Sequence, residues 1–110
     1  MPFEVLVTEN AARDLEEIYD YIARHDTQNS ADHVLEKIEA ALVNLSDSPL
    51  RGVYPPELAA LGIREYREIF FKPYRIIYRI MEINVYILLI VDGHRDMTLL
   101  SRRAFGLLRL

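Results

Sequence analysis

Arginine is the residue type with the most chemistry to offer in this chain. Arg75 and Arg79 alternate through the run Tyr74 to Met81, a spacing that sets both on one face of a strand. Arg64 and Arg67 precede that run, and His94 and Arg95 follow the next one. Guanidinium groups grip carboxylates and phosphates through a planar fork of donors. A histidine beside them would titrate near neutrality, which makes His94 the one candidate proton carrier of the patch. The plainer reading is a solvated sheet face whose arginines pair with Glu65 or Glu68 on the neighbouring strand. Other chemistries are closed by composition. There is no cysteine, hence no thiolate nucleophile, disulfide or cysteine-based zinc site, and three scattered histidines are too few for a histidine-only metal site. No metal and no cofactor is expected.

The charge distribution sharpens the arginine pattern. Residues 1–50 hold three basic and eleven acidic side chains, whereas residues 51–110 hold ten basic and six acidic ones. The whole chain sums to −4, which argues against coating nucleic acid through its phosphates. The basic second half still offers a local surface to an acidic partner. The 110 residues suffice for one domain, and 51% hydrophobic residues with 27% charged ones describe a compact soluble fold. The longest run without a charge is the nine residues Ile83 to Val91, far short of the ~20 a membrane span needs. The start lacks the basic and apolar segments of a secretory signal, so a cytoplasmic protein is expected.

The elements that must position the arginines are set by periodicity. Phe3 to Val7 reads as a short strand, and Thr8 as the N-cap of a first helix. In that helix Ala11, Leu15, Ile18, Tyr19 and Ile22 recur at helical spacing over about residues 9–24. Asp14, Glu16, Glu17 and Asp20 then form the solvated side. After the polar break from His25 to Ser30, a stripe of Ala31, Val34, Leu35, Ile38, Ala41, Leu42 and Leu45 predicts a second helix. Residues 49–63, with Pro49, Gly52, Pro55, Pro56 and Gly62, read as a loop packed over the core. Three strand-like runs come next: Ile63 to Phe71, Tyr74 to Met81 and Val85 to Val91, the last apolar on both faces as an interior strand would be. Asp96 to Phe105 reads as a short basic helix carrying Arg102 and Arg103. The expected fold is α+β, in the order β-α-α-β-β-β. A helical hairpin packs on a small, mostly antiparallel sheet, with a short basic C-terminal helix at the end.

This order, together with four segments, resembles the RelE/ParE superfamily of type II toxin–antitoxin toxins, and its ParE-like branch in particular. The segments are Ala12 to Ile22 of the first helix, Arg64-Glu65, Pro73-Tyr74-Arg75-Ile76-Ile77-Tyr78-Arg79-Ile80, and Gly93-His94-Arg95-Asp96. The resemblance implies one toxin domain over residues 1–110, and one of two activities. RelE-like members cut messenger RNA on the ribosome, and ParE-like members poison DNA gyrase without being enzymes themselves. Cleavage through the 2′-hydroxyl needs a proton acceptor, a proton donor and a cation at the phosphorane. On that alternative Arg75, His94 and Arg95 would be the catalytic residues. Two features of the ribonuclease branch are missing. Nothing after Tyr86 is a tyrosine, and Glu57-Leu58-Ala59-Ala60-Leu61 stands where paired lysines would be. Tyr54-Pro55-Pro56-Glu57-Leu58 and the Arg95-Asp96 pair ahead of Leu99-Leu100 are similar to the gyrase-poison branch.

The expectation is therefore a gyrase poison neutralised by a cognate ParD-like antitoxin whose tail folds on binding. No membrane partner is expected, and no sequence-specific nucleic-acid binding by the toxin alone. The gyrase-facing candidates are Arg64, Arg67, Arg79, Arg95, Arg102 and Arg103. The antitoxin-facing candidates are the exposed margins of Leu15, Ile18, Leu35 and Leu42, together with Arg75 and Arg79. A degenerate toxin that binds antitoxin but has lost its activity is the remaining alternative.

Overall fold

A computed structural model describes residues 2–93. The expected basic C-terminal helix, with His94, Arg95, Arg102 and Arg103, lies outside the described residues. The chain forms β1 (Glu4–Val7), α1 (Glu9–His25), α2 (Gln28–Asn44), a single 3₁₀ turn (Pro49–Arg51), α3 (Pro56–Ala59), β2 (Tyr66–Phe71), β3 (Tyr74–Met81) and β4 (Asn84–Asp92). Thr8 starts α1 as its composition requires, its hydroxyl accepting the Ala11 N–H at 3.2 Å. Thr27 caps α2 in the same way, accepting from the Ser30 N–H at 3.0 Å. The hairpin turn is thus only Asp26 and Thr27, shorter than the polar run suggested, because Gln28, Asn29 and Ser30 continue into α2.

The four strands lie in the order β1-β4-β3-β2. β2, β3 and β4 form an antiparallel meander, and β1 returns parallel to β4. The interior place expected for the most apolar run is therefore where β4 sits. β2 begins at Tyr66 rather than Ile63, since residues 60–65 are spent returning from α3 to the sheet. Met81 pairs with Asn84 across a two-residue turn, and Glu82 there takes a φ of 57°, as tight hairpins demand of a turn residue.

A bulge shifts the phase of β4 and so changes which of its apolar residues face the helices. Tyr78 pairs with Ile87 but Ile77 pairs with Leu89, so Leu88 is an extra residue on β4. Before the bulge Val85 and Ile87 face the helices; after it Ile90 does, while Leu89 and Val91 face the other way. Two cores result. The larger one joins Ala11, Ile38, Leu42 and Leu45 of the hairpin to Ile69, Ile76, Tyr78, Val85, Ile87 and Ile90. At ~1.5–3 kcal/mol for each fully buried Leu or Ile, this layer dominates stability. The smaller one, on the opposite face, joins Tyr66, Ile77, Leu89 and Val91 to Leu58 of α3. The face expected to present arginines to solvent is thus partly roofed by α3 and the loop after it.

α1 also finishes the sheet. β1 ends at Val7, opposite Ile87, and side chains of the α1 start take over from it. The Thr8 hydroxyl donates to the Ile87 carbonyl at 2.7 Å, and Asn10 Nδ2 to the Leu88 carbonyl at 2.8 Å. The Ile90 N–H donates to Asp14 Oδ2 at 3.0 Å. Asp14 is therefore buried, 8% exposed, and not part of the solvated helix face expected of it. Orphaned backbone groups on a strand side need partners as much as those in a core do.

Candidate functional site

The arginines expected to form one patch are placed in four different environments. Arg75 is buried, at 7% exposure. Its Nε donates to Glu68 Oε1 at 2.6 Å and its Nη2 to Glu68 Oε2 at 3.0 Å. Its Nη1 and Nη2 donate to Glu57 Oε2 and Oε1 at 2.7 and 2.9 Å. This corrects the expectation of a solvent-facing Arg75. The register explains it: Phe70 stands opposite Arg75 and Glu68 opposite Ile77, so Glu68 and Arg75 are diagonal neighbours on one face, under α3.

Arg79 is half-buried, its guanidinium 5.8 Å from the centre of the Tyr66 ring, a cation–π contact with the residue opposite it. Arg67 belongs to the opposite face of β2. It donates to the Gly52 carbonyl at 2.9 Å and to the Tyr54 hydroxyl at 3.3 Å, and stacks on the Tyr54 ring at 4.7 Å. It fastens the loop after α2 rather than joining Arg75 and Arg79, which corrects its place in the patch. Arg64 is exposed in the turn before β2.

The loop that Arg67 holds is pinned from a second side. Tyr78, fully buried, donates to the Pro49 carbonyl at 2.6 Å and accepts the Gly52 N–H at 3.0 Å. Val53 then makes an antiparallel bridge to Glu68, with N···O distances of 3.0 and 2.7 Å. Glu68 is thereby fixed by its backbone as well as by its carboxylate. Burial pushes the Tyr78 and Tyr66 hydroxyls up from their ordinary value, so neither is poised to give up a proton near neutrality.

The Glu57–Arg75–Glu68 cluster has a marked electrostatic character. The hydrogen bonds to Glu57 foremost, against the opposing effect of burial, raise Arg75 further above its ordinary value. Burial pushes the Glu57 carboxyl up, but the Arg75 hydrogen bond overrides it and the net direction is down. Among the described residues one cation thus stands between two carboxylates. Beside the cluster runs a groove of about 410 Å³, walled by Pro56, Phe70, Lys72 and Pro73. A second cleft, of about 490 Å³, lies between α1 and the ends of β3 and β4, with Asp14, Glu17 and Asp92 beside Tyr21 and Tyr74. Among the described residues no group of His, Asp and Glu is arranged to hold a metal ion. Nor is any helix among them long and apolar enough to cross a membrane.

The apolar candidates on the hairpin are inward-facing. Leu42 is 5% exposed and belongs to the core, which corrects its assignment to a docking margin. Leu15, Ile18 and Leu35 are half-buried in the seam between α1 and α2 and keep only their outer edges. Glu57 is the member of the cluster that sequence reasoning misses. A signal for it exists: it is the only charged side chain between Gly52 and Ile63.

The family model for the ParE toxin of the type II toxin–antitoxin system parDE matches residues 5–97. This chain belongs to the ParE toxin family. Solved structures share the fold of this ParE-family chain. The chromosomal ParDE system of Pseudomonas aeruginosa superposes with a TM-score of 0.69 at 21% identity, covering 82% of this chain and 95% of that one. The RelBE2 toxin–antitoxin complex of Mycobacterium tuberculosis gives 0.61 at 24% identity, covering 84% and 99%. A free-state mutant of the Escherichia coli toxin RelE gives 0.60 at 15% identity, covering 90% and 92%. No curated protein matches the sequence significantly.

Proposed function

We propose that this ParE-family toxin acts by poisoning DNA gyrase and is held inactive by a cognate antitoxin. The observation that carries the choice of target is the state of Arg75. A ribonuclease working through the 2′-hydroxyl needs a cation able to meet the phosphorane. Here the guanidinium best placed for that role is engaged by Glu57 and Glu68. The carboxylate of Glu57 comes from the very segment that resembles the gyrase-poison branch. On this reading the toxin needs no catalytic residue, because gyrase's own chemistry breaks the DNA and the toxin stabilises the broken state.

The target surface on this reading includes Arg64 and Arg79, with Arg95, Arg102 and Arg103 beyond the described residues. Arg67 contributes indirectly, by holding the loop from Leu50 to Tyr54. The antitoxin on this reading is a chain whose tail folds onto the toxin; the toxin–antitoxin complex of similar fold supports such a partner. The outer edges of Leu15, Ile18 and Leu35 and the half-buried Arg79 are its proposed contacts. The test combines purified toxin, gyrase and plasmid, with denaturation before the gel. Gyrase-linked linear DNA that appears with toxin and vanishes with antitoxin supports the reading. Intact plasmid, with messenger cleaved on ribosomes instead, refutes it.

A further inference from the structure

Large apolar side chains collect at the β2 edge of the sheet. Leu50 is 67% exposed, Val53 55%, Tyr54 40% and Phe70 56%. β2 is an outermost strand, and Val53 bridges it at Glu68. Val53 therefore shares the face of Glu68, as does Phe70 two residues on. Tyr54 falls beside Arg67 on the other face, where ring and guanidinium stack. The four wrap one edge, and apolar side chains gathered this openly on a soluble domain mark an interaction surface.

This edge is ordered before any partner arrives. The segment from Leu50 to Tyr54 is held by Tyr78, by Arg67 and by both bonds of the Val53 bridge. A surface already fixed loses little freedom on binding. Tyrosine and arginine are also among the residue types that most often dominate binding energy. The charges at the edge have one sign. Arg51 and Lys72 are exposed, and Arg67 is half-buried under Tyr54. The one carboxylate in the same stretches, Glu68, is buried on Arg75. An apolar centre with a cationic rim complements an apolar cleft rimmed by carboxylates. Leu50 and Val53 stand out from the edge, so they need a partner with a cleft already formed. A tail that folds on binding instead fills a groove of its host, and the proposed antitoxin contacts lie on the hairpin seam.

We propose that the β2 edge, with Leu50, Val53, Tyr54 and Phe70 at its centre, docks into a preformed, carboxylate-rimmed apolar cleft of gyrase. The proposal rests on the gyrase reading and gives its target surface an apolar centre. Arg64 and Arg79, toward the start of β2, belong to the periphery of that surface. The apolar centre sets how long the complex lasts, and the cationic rim sets how fast it forms.

The experiment measures binding of full-length toxin variants to purified gyrase and to antitoxin, alongside the plasmid-cleavage gel. Leu50→Ser combined with Phe70→Ser should weaken gyrase binding at least about tenfold, with gyrase-linked DNA falling in parallel and antitoxin affinity changing less than about twofold. Ile83→Ser removes a side chain just as exposed, 67%, from the turn between β3 and β4, and should leave gyrase binding as it is. Arg51→Glu with Lys72→Glu should slow association and reduce its salt dependence. A folded double variant that binds and poisons gyrase like wild type overturns the proposal and leaves the gyrase reading standing. So does a double variant that loses antitoxin but keeps gyrase, which would assign the edge to the antitoxin. Wild-type toxin that neither binds gyrase nor yields cleaved DNA overturns both. Leu50→Ser alone, on a side chain open to solvent, decides the question if the double variant does not fold.

Discussion

Gly52 is the position where a single methyl group should do the most damage. A Cβ built there falls inside contact distance of the Tyr78 hydroxyl, 2.8 Å from the Glu68 carbonyl oxygen and 2.9 Å from Tyr78 Cε1. One of these atoms is backbone in a paired strand, so relief must come from the loop. Moving the loop breaks the 3.0 Å bond from the Gly52 N–H to Tyr78 and loosens the Val53 bridge to Glu68. Overpacking costs about 1–3 kcal/mol, and the lost buried hydrogen bond adds about 1 kcal/mol. Gly52→Ala should therefore destabilise the toxin by about 2–4 kcal/mol, with a fall in Tm of roughly 10–20 °C for a domain this size.

The partner substitution makes the reasoning refutable. Tyr78→Phe removes the nearest obstructing atom but leaves the Pro49 carbonyl and the Gly52 N–H without their partner, at a cost of about 1–3 kcal/mol. In the double variant the hydroxyl can no longer collide with the new methyl. The combined loss should fall short of the sum by about 1 kcal/mol, since residues in contact do not act additively. Full rescue is not expected, because the Glu68 carbonyl oxygen still stands 2.8 Å away. Urea denaturation of the four proteins closes the cycle. A Gly52→Ala protein as stable as wild type, or strict additivity, would refute the contact as described.

The same geometry makes four further outcomes testable. Arg75→Met strands two buried carboxylates and should cost about 3–5 kcal/mol by urea denaturation; a loss below about 1 kcal/mol would contradict the ion cluster. Glu57 is held below its ordinary 4.5, so its contribution is present above that value and is lost as pH falls through the lower folded value. The stability gap between wild type and Glu57→Gln should accordingly shrink on acidification below pH 4.5, and a gap independent of pH would count against the pairing. Asp14→Ala removes the acceptor of the Ile90 N–H, so exchange of that amide should accelerate, with a loss of about 1–3 kcal/mol. Arg64→Glu and Arg79→Glu should reduce gyrase-dependent DNA cleavage while moving stability by no more than about 1 kcal/mol, whereas Arg67→Glu should also release the loop; full cleavage by both surface variants would remove these arginines from the target surface.

Much of this fold is legible because its elements repeat one signal many times. Each of the two long helices shows five or more apolar residues at helical spacing and a threonine at the start, and each β-hairpin is marked by a short turn. The departures come from features that carry no period. The bulge at Leu88 changes which apolar residues of β4 face the helices, and nothing in Val85 to Val91 marks where the extra residue falls. α3 is a single turn and too short for a period to show. Asp14 looks like its neighbours Glu16 and Glu17 because its partner, the Ile90 N–H, is 76 residues away.

The site is less legible for a related reason. Alternation in β3 correctly places Arg75 and Arg79 on one face, but alternation says nothing about what covers that face. The cover is α3, and its position decides the fate of each arginine separately. Arg75 lies under Glu57 and becomes a buried ion pair, while Arg79, four residues along the same face, meets the Tyr66 ring and keeps part of its surface. Two residues that look interchangeable in sequence thus take on different work: one holds α3 to the sheet, and the other keeps part of its guanidinium accessible over the Tyr66 ring. Charge reversal at Arg75 would therefore report on folding, and the charge-reversal test of antitoxin binding belongs to Arg79 rather than Arg75. If Arg79→Glu left antitoxin affinity and its salt dependence unchanged, the charged part of that interface would have to lie elsewhere.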